Sequence, residues 1–383
     1  MKVLILTTSY PRNDYDHSGI FVKRLAVAMA QSGANIIVLA PGDSEAKRKE
    51  RDRVGIKVVR FSYAPRTLMR VAYGDGGIPE NIRRWPWLFI LLPFFVLSMA
   101  IHALIMARDC DVIHANWLSS GFVSIPARKI RKKPLIVTLR GSDLRGAFSK
   151  LLPFVAKRVD AITTVNKKWA EDLQKRLHSK IFYIPNGVEV AEEAINPRLK
   201  FSISTDEIIV LYIGVLCERK GTDILVNTAK IIYELNKSIR FLVVGPGDAS
   251  QFGLDGLPNI IYAGQVPPHE ALALYPGCDI FVLPSRFEGR PNALLEAMAS
   301  GLPSIATRLP GVLEVLTEES GFLVNPEDPR AIAEAITALA KDPVRRKIMG
   351  GKAKARIEEL SLDWESTARQ YLSLFREALR CAV

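Results

Sequence analysis

Thirteen short apolar runs, separated by helix-length stretches, constrain the fold of this 383-residue chain more than any other feature. Strands read at 2–7, 35–40, 56–61, 111–115, 134–139, 160–165 and 180–184, then at 208–213, 240–245, 259–263, 279–283, 304–307 and 321–324. Helical periodicity falls between them, near 20–32, 85–107, 119–131 and 166–178, then near 221–236, 268–276, 291–300, 311–317 and 328–341. Strands alternating with helices imply parallel sheets covered on both faces. Each half therefore reads as an α/β, Rossmann-like, doubly wound domain. The length suits two domains, and the seam reads at Pro185-Asn186-Gly187-Val188 and the polar stretch after it. The expected layout is a first domain over 1–187, a second over 188–365, and an amphipathic C-terminal helix over 366–383. Two such domains in tandem leave a cleft between them.

The charge is unevenly placed. Residues 1–190 carry 31 Lys and Arg against 15 Asp and Glu, whereas the remainder carries 21 against 25. A basic half beside a mildly acidic half implies a one-sided anionic partner, such as lipid headgroups, an anionic glycan or nucleic acid. Cys110, Cys217, Cys278 and Cys381 lie far apart, with neither metal spacing nor a disulfide framework. Reduced thiols in a cytosolic protein are expected. The apolar run Lys2–Thr7 is too short for a signal peptide, and Ser9-Tyr10-Pro11 follows it at once. Trp85 to Ala107 lacks a formal charge and is flanked by Arg83-Arg84 and Arg108. By length it suits a membrane span. Its position between two strands of one sheet opposes spanning. A helix packed on the sheet and an interfacial helix dipping aromatic residues into lipid remain as readings.

The chemistry concentrates at Glu288-Gly-Arg-Pro-Asn-Ala-Leu-Leu-Glu296. Pro291 suits a first helical turn, and Gly301 with Pro303 stops the helix. Glu288 then sits in a strand-to-helix loop at the mouth of a sheet, and Glu296 points from the second turn. Backbone N–H groups of Gly289, Arg290 and Asn292 at a helix start favour phosphate. Carboxylates accept hydrogen bonds from sugar hydroxyls. Phosphate flanked by two such carboxylates fits a sugar nucleotide. Upstream, Gly214 permits a close backbone approach. Arg219 and Lys220 offer two cations where a leaving diphosphate needs neutralising. Gly245-Pro-Gly247 reads as a tight turn, since Ser250 stands where a dinucleotide fingerprint has its third glycine.

The run from Glu288 resembles the E-x7-E motif of glycosyltransferase family 4, a retaining family of GT-B fold. The resemblance includes the flanks E-G-x-P-N and E-A-M-A-x-G-x-P. It implies that Glu288 takes hydroxyls of the transferred sugar and Glu296 those of the ribose. Tyr212 to Gly221 is similar to the family's G-x-L-x-x-x-K-G element, whose cations hold the donor diphosphate. Gln265 and Val266 match its base-contacting loop, and Gly19 its glycine beside the diphosphate. His17 is then a candidate acceptor contact. His114 and Asn116, ending a strand, are expected at the cleft mouth. Where many relatives carry histidine, this chain has Arg140, with Asp143 close by. Arginine cannot act as a base, so phosphate or carboxylate binding and a structural Arg140–Asp143 pair are the alternatives.

The S-Y-P-R…G-I-F-V and T-L-R-G-S-D phrases look like bacterial members that build surface polysaccharides. The resemblance implies a nucleotide-diphosphate sugar as donor, UDP-linked by the commonest case, and a lipid-linked or anionic glycan acceptor at the cytoplasmic membrane face. It also implies that the C-terminal helix packs on the first domain. No cofactor and no essential metal are expected. Asp109-Cys110-Asp111 superficially matches a metal motif of the other glycosyltransferase fold but reads as a helix-to-strand boundary. A sugar-nucleotide epimerase is the nearest alternative. A nucleic-acid-binding protein is the alternative from another class, supported by basic charge alone, and nucleic acid is not expected as a partner.

Overall fold

The computed structural model describes residues 1–44, 46–74, 77–144 and 147–381. They form two compact units, one of residues 1–187 with 363–383 and one of 188–362.

The first unit is built on an eight-stranded sheet. Its strands are β1 (Lys2–Leu6), β2 (Asn35–Pro41), β3 (Lys49–Arg51), β4 (Lys57–Phe61), β5 (Val112–Asn116), β6 (Leu135–Leu139), β7 (Ala161–Thr164) and β8 (Ile181–Tyr183). Their order is β3-β4-β2-β1-β5-β6-β7-β8. All pairs are parallel except β3 with β4. The central strands β5 and β6 are buried along their whole length, which explains why neither shows an alternating polar face. Helix Ile20–Gln31 buries Val22, Leu25, Ala26 and Met29, one stripe at helical spacing. Helix Trp364–Cys381 packs against it and adds Tyr371, Leu372 and Phe375 to the same core. The second unit ends at Leu362, so this helix and Asp363, which leads into it, belong to the first.

The apolar stretch 85–107 forms a 3-10 segment, Pro86–Leu91, followed by the helix Leu92–Met106. Phe95, Met99 and Ala103 bury one face of this helix, with Phe95 edge-on to Phe61 and Tyr63 at 5.1 and 5.0 Å. Ser98 Oγ donates to the Ser62 carbonyl at 2.7 Å. A helix fixed along one side to its own sheet does not cross a bilayer, which agrees with the reading against spanning. The stretch is not a fully buried helix either. Phe94, Leu97, Ile101 and Ile105 lie on the opposite face with 46–60% of their surface exposed, and Phe89 and Ile90 in the preceding segment expose 67% and 69%.

The second unit holds β9 (Ile208–Ile213), β10 (Ile239–Val244), β11 (Ile260–Gly264), β12 (Ile280–Leu283), β13 (Ser304–Thr307) and β14 (Gly321–Val324). They are parallel throughout, in the order β11-β10-β9-β12-β13-β14. Both sheets reverse strand order beside their first strand, between β1 and β5 and between β9 and β12. Ligands of open α/β sheets bind at such switch points, beyond the carboxyl ends of the strands.

Among the elements not legible in the sequence are the antiparallel edge β3, the helix Gly77–Arg84 and the helix Pro343–Glu359. In the last, Gly350-Gly351 reads as a helix breaker. A Cβ on Gly350 would lie 2.0 Å from the Gly301 carbonyl oxygen. The glycine is there because two chain segments pack backbone to backbone.

Candidate functional site

In the second unit the loops after β9 and β12 meet at the switch point. Arg219 and Lys220 lie in a 3-10 turn, Glu218–Lys220, that ends at Gly221. Gly221 has φ +70°, and a Cβ there would lie 2.0 Å from the Pro284 carbonyl oxygen. Only glycine lets the two loops approach so closely. Glu288, nearly buried, receives Lys220 Nζ at 2.7 Å and Ser285 Oγ at 2.7 Å on the same oxygen, Oε1. Arg286 fastens this arrangement. Its backbone N–H donates to the Arg219 carbonyl at 2.9 Å. Its guanidinium spans Asp223 at 2.6 and 2.7 Å and Glu327 at 2.7 Å, and these hydrogen bonds hold the Asp223 carboxyl below the usual range.

The helix after Glu288 runs Asn292–Ala299, with Pro291 as its N-cap rather than its first residue. Gly289 and Arg290 bridge from Glu288 to that cap, and Arg290 turns inward to meet Glu314 Oε2 at 3.3 Å. Glu296 accepts a hydrogen bond from the Tyr275 hydroxyl at 3.1 Å. Gly214 follows β9 directly, its N–H donating to the Val244 carbonyl. Gln265 is exposed and Val266 buried just beyond β11. The Tyr262 hydroxyl lies 3.0 and 3.1 Å from the carbonyl oxygens of Gly245 and Gly247. The loops after four strands thus present two cations, two acids and several tight backbone turns at one end of the sheet.

The switch point of the first unit carries different chemistry. Gly19 precedes the helix Ile20–Gln31 at φ +66°, and a Cβ there would lie 2.1 Å from the Ser9 carbonyl oxygen. His17 is partly exposed, and its carbonyl accepts the Ile20 N–H. Arg140 follows β6. Its guanidinium donates to Asn116 Oδ1 from Nε (3.2 Å) and Nη2 (2.6 Å), and to Asn186 Oδ1 from Nη1 (2.5 Å). It also sits 4.8 Å above the centre of the Phe21 ring, a cation–π contact. Burial lowers the Arg140 pKa from its ordinary value.

Two expectations for this region are corrected. Asp143 does not pair with the Arg140 side chain. Its carboxylate accepts the backbone N–H groups of Arg140 (2.7 Å) and Leu118 (2.8 Å), so it shapes the loop and the start of the helix Leu118–Arg131. Burial raises its pKa. His114 does not reach a cleft mouth. It is fully buried in mid-strand, its Nε2 2.8 Å from Thr138 Oγ1 and its ring 4.9 Å from that of Tyr371. Burial, helped by the positive charge of Arg140, pushes its pKa down to about 3. It is a neutral core residue linking the sheet to the C-terminal helix. Asp109 and Asp111 sit at the 3-10 end before β5, where Asp111 accepts the Lys2 N–H at 2.7 Å.

Sequence reasoning missed Ser285, Tyr275, Phe21 and the side chain of Asn186. Ser285 had a local signal, three residues before Glu288. Tyr275 and Phe21 reach their partners from other elements and had none.

Comparison with known proteins bears on the family and the fold. Residues 18–192 match the family model Glycosyltransferase Family 4, and residues 207–342 match Glycosyl transferases group 1. A Bacillus subtilis protein named for teichuronic acid biosynthesis, the glycosyltransferase TuaC, is 27% identical over 88% of each chain. The phosphatidyl-myo-inositol mannosyltransferase of Mycobacterium leprae is 25% identical over 92% of this chain and 91% of its own. Among solved structures, sucrose-phosphate synthase from Thermosynechococcus elongatus superposes with a TM-score of 0.80 at 23% identity, covering 99% of each chain. Anabaena HepE, solved with UDP-glucose, gives 0.75 at 16% identity over 98% of this chain and 100% of that one. With its two parallel-sheet units and these matches, the chain belongs to the family 4 glycosyltransferases and has the GT-B fold.

Proposed function

We propose that this enzyme transfers a sugar, with retention of configuration, from a nucleotide-diphosphate sugar to a glycan acceptor in surface-polysaccharide synthesis. The observation that carries the reading is the Lys220–Glu288–Ser285 cluster at the switch point of the second unit, with Arg219 beside it. Arg219 and Lys220 neutralise the departing diphosphate, while Glu288 orients the sugar through its hydroxyls. Glu296 takes the ribose hydroxyls and the loop at Gln265–Val266 borders the base. Uridine is the proposed base, and HepE was solved with a UDP-sugar.

No strong base is required. On one face of the sugar, the bond from the anomeric carbon to the phosphate oxygen breaks and the bond to the acceptor oxygen forms. The acceptor's proton passes to the departing phosphate oxygen. The protein's contribution is to stabilise charge on the leaving group and to align the acceptor, and no metal is invoked. Glu288→Ala tests the site: donor consumption falls by about 10²–10³-fold, whereas unchanged turnover refutes the assignment.

The acceptor is proposed to be lipid-linked, at the cytoplasmic membrane face. Support comes from the outer face of the helix Leu92–Met106. Phe94, Leu97, Ile101 and Ile105 form an exposed apolar stripe at helical spacing, with Arg83, Arg84 and Arg108 at its two ends. Such a helix lies in the headgroup region, its cations meeting anionic lipid. Vesicle sedimentation checks this. The parent pelletes with vesicles containing 30% phosphatidylglycerol, and Leu97→Glu with Ile101→Glu releases it. Equal binding of parent and variant would remove the membrane surface from the proposal.

A further inference from the structure

Arg140 differs from five other arginines of this molecule in what it meets. Arg12, Arg60, Arg128, Arg198 and Arg286 each reach a carboxylate at 2.5–3.0 Å. Arg140 reaches none among the described residues. Its three hydrogen bonds all go to the neutral amide oxygens of Asn116 and Asn186. The nearby acid, Asp143, accepts backbone N–H groups with both carboxylate oxygens. Arginine has five N–H donors, so two remain beyond those three bonds. The Asn116 amide nitrogen is also buried without a hydrogen-bond partner. A half-buried guanidinium with no carboxylate in hydrogen-bond reach among the described residues gains when an anion completes it. Two asparagine oxygens and the Phe21 ring fix its plane, which suits bidentate recognition of an oxyanion.

The position is equally informative. Arg140 follows β6 and Asn116 ends β5, while Phe21 opens the helix that follows the β1 loop. All three converge beside the β1/β5 switch point, where an open α/β sheet binds its ligand. That helix has no acidic residue in its first turn and no side-chain cap, so the start of the helix itself favours an anion.

We propose that Arg140, seated on Asn116, Asn186 and Phe21, binds a carboxylate or phosphate carried by the acceptor sugar, making the enzyme selective for an anionic acceptor. The identification of the ligand as acceptor rests on the transferase reading above; the anion site itself does not. A carboxylate, as in a uronic acid, and a sugar phosphate present the same pair of oxygens to the guanidinium.

The test uses ligand-observed NMR titration of the full chain with three probes: methyl glucuronide, methyl glucoside 6-phosphate and neutral methyl glucoside. The parent is expected to bind one or both anionic probes at least tenfold more tightly than the neutral one. The stronger of the two identifies the anion. Arg140→Gln is expected to erase that difference while the neutral probe changes less than threefold. Arg140→Lys, which keeps the charge but not the fork, is expected to recover only part of it. Equal affinity of the parent for charged and neutral probes overturns the proposal. So does undiminished discrimination in Arg140→Gln. Melting temperature and UDP binding of Arg140→Gln are followed in parallel. A variant that melts like the parent has lost recognition and not its fold. Failure of UDP to bind even the parent would strike the transferase reading and leave the anion result standing.

Discussion

The two switch points share a topology and differ in how they handle charge. In the second unit, cation and acid are paired: Lys220 meets Glu288, and Arg286 meets Asp223 and Glu327. In the first, Arg140 rests on amide oxygens and an aromatic ring. A paired site suits a substrate offering both anionic phosphate and neutral hydroxyls, because each partner is exchanged for a substrate group of the same kind. A cation seated on neutral groups suits a ligand that brings its own negative charge. On the proposed reading, one topology serves a donor site in one unit and an anion-recognition site in the other.

The comparison is most exposed to attack at Glu288. Glu288→Ala leaves Lys220 without its acid, and loss of turnover by about 10²–10³-fold is expected, with UDP affinity within about tenfold of the parent. Next comes the close contact that brings the two loops together. Gly221→Val combines a positive φ with a Cβ 2.0 Å from the Pro284 carbonyl oxygen. A loss of about 3 kcal/mol of stability is expected, read as a lower urea midpoint. Parent-like stability would mean the loops are not held as described.

A smaller effect separates core from site in the first unit. His114 has its pKa lowered from 6.5 to about 3. Below pH 6.5 the unfolded chain binds a proton that the folded chain refuses, so stability falls as pH drops toward 3. The slope from this residue is about 1.4 kcal/mol per pH unit. His114→Gln is expected to flatten the acid limb of urea stability by that amount, with activity retained at neutral pH. An unchanged slope would refute the neutral-core assignment. The smallest effect is at Tyr275→Phe, which deletes the hydroxyl donating to Glu296. UDP affinity is expected to fall about fivefold, the worth of one hydrogen bond, in a titration calorimetry experiment.

What the sequence disclosed followed the locality of the interactions. Glu288, Pro291 and Glu296 occupy one loop and one helix, so their spacing alone located them at a sheet mouth. The parallel sheets were legible because strands such as β6, β9 and β12 are buried on both faces and read as apolar runs. Arg140 was legible as a residue but not as an environment. Its partners come from positions 21, 116 and 186, and no short-range pattern connects them. Asp143 misled for the same reason: proximity in sequence suggested a side-chain pair, while the loop geometry turned its carboxylate to backbone N–H groups. His114 looked like a strand-end residue facing a ligand, but the C-terminal helix, more than two hundred residues away, covers it with Tyr371 and Phe375. The helix Pro343–Glu359 was hidden by a glycine pair of which one member, Gly350, serves tight packing.

The central claim is that the second unit holds the nucleotide-sugar donor through Glu288, Glu296 and the Arg219–Lys220 turn. Its most direct test is calorimetric titration of UDP, GDP and ADP, without divalent metal, into the parent and into Glu296→Ala. The expected result is binding of one nucleotide, UDP, to the parent, weakened at least tenfold in the variant. Equal binding to parent and variant, or no binding of any of the three to the parent, would contradict it.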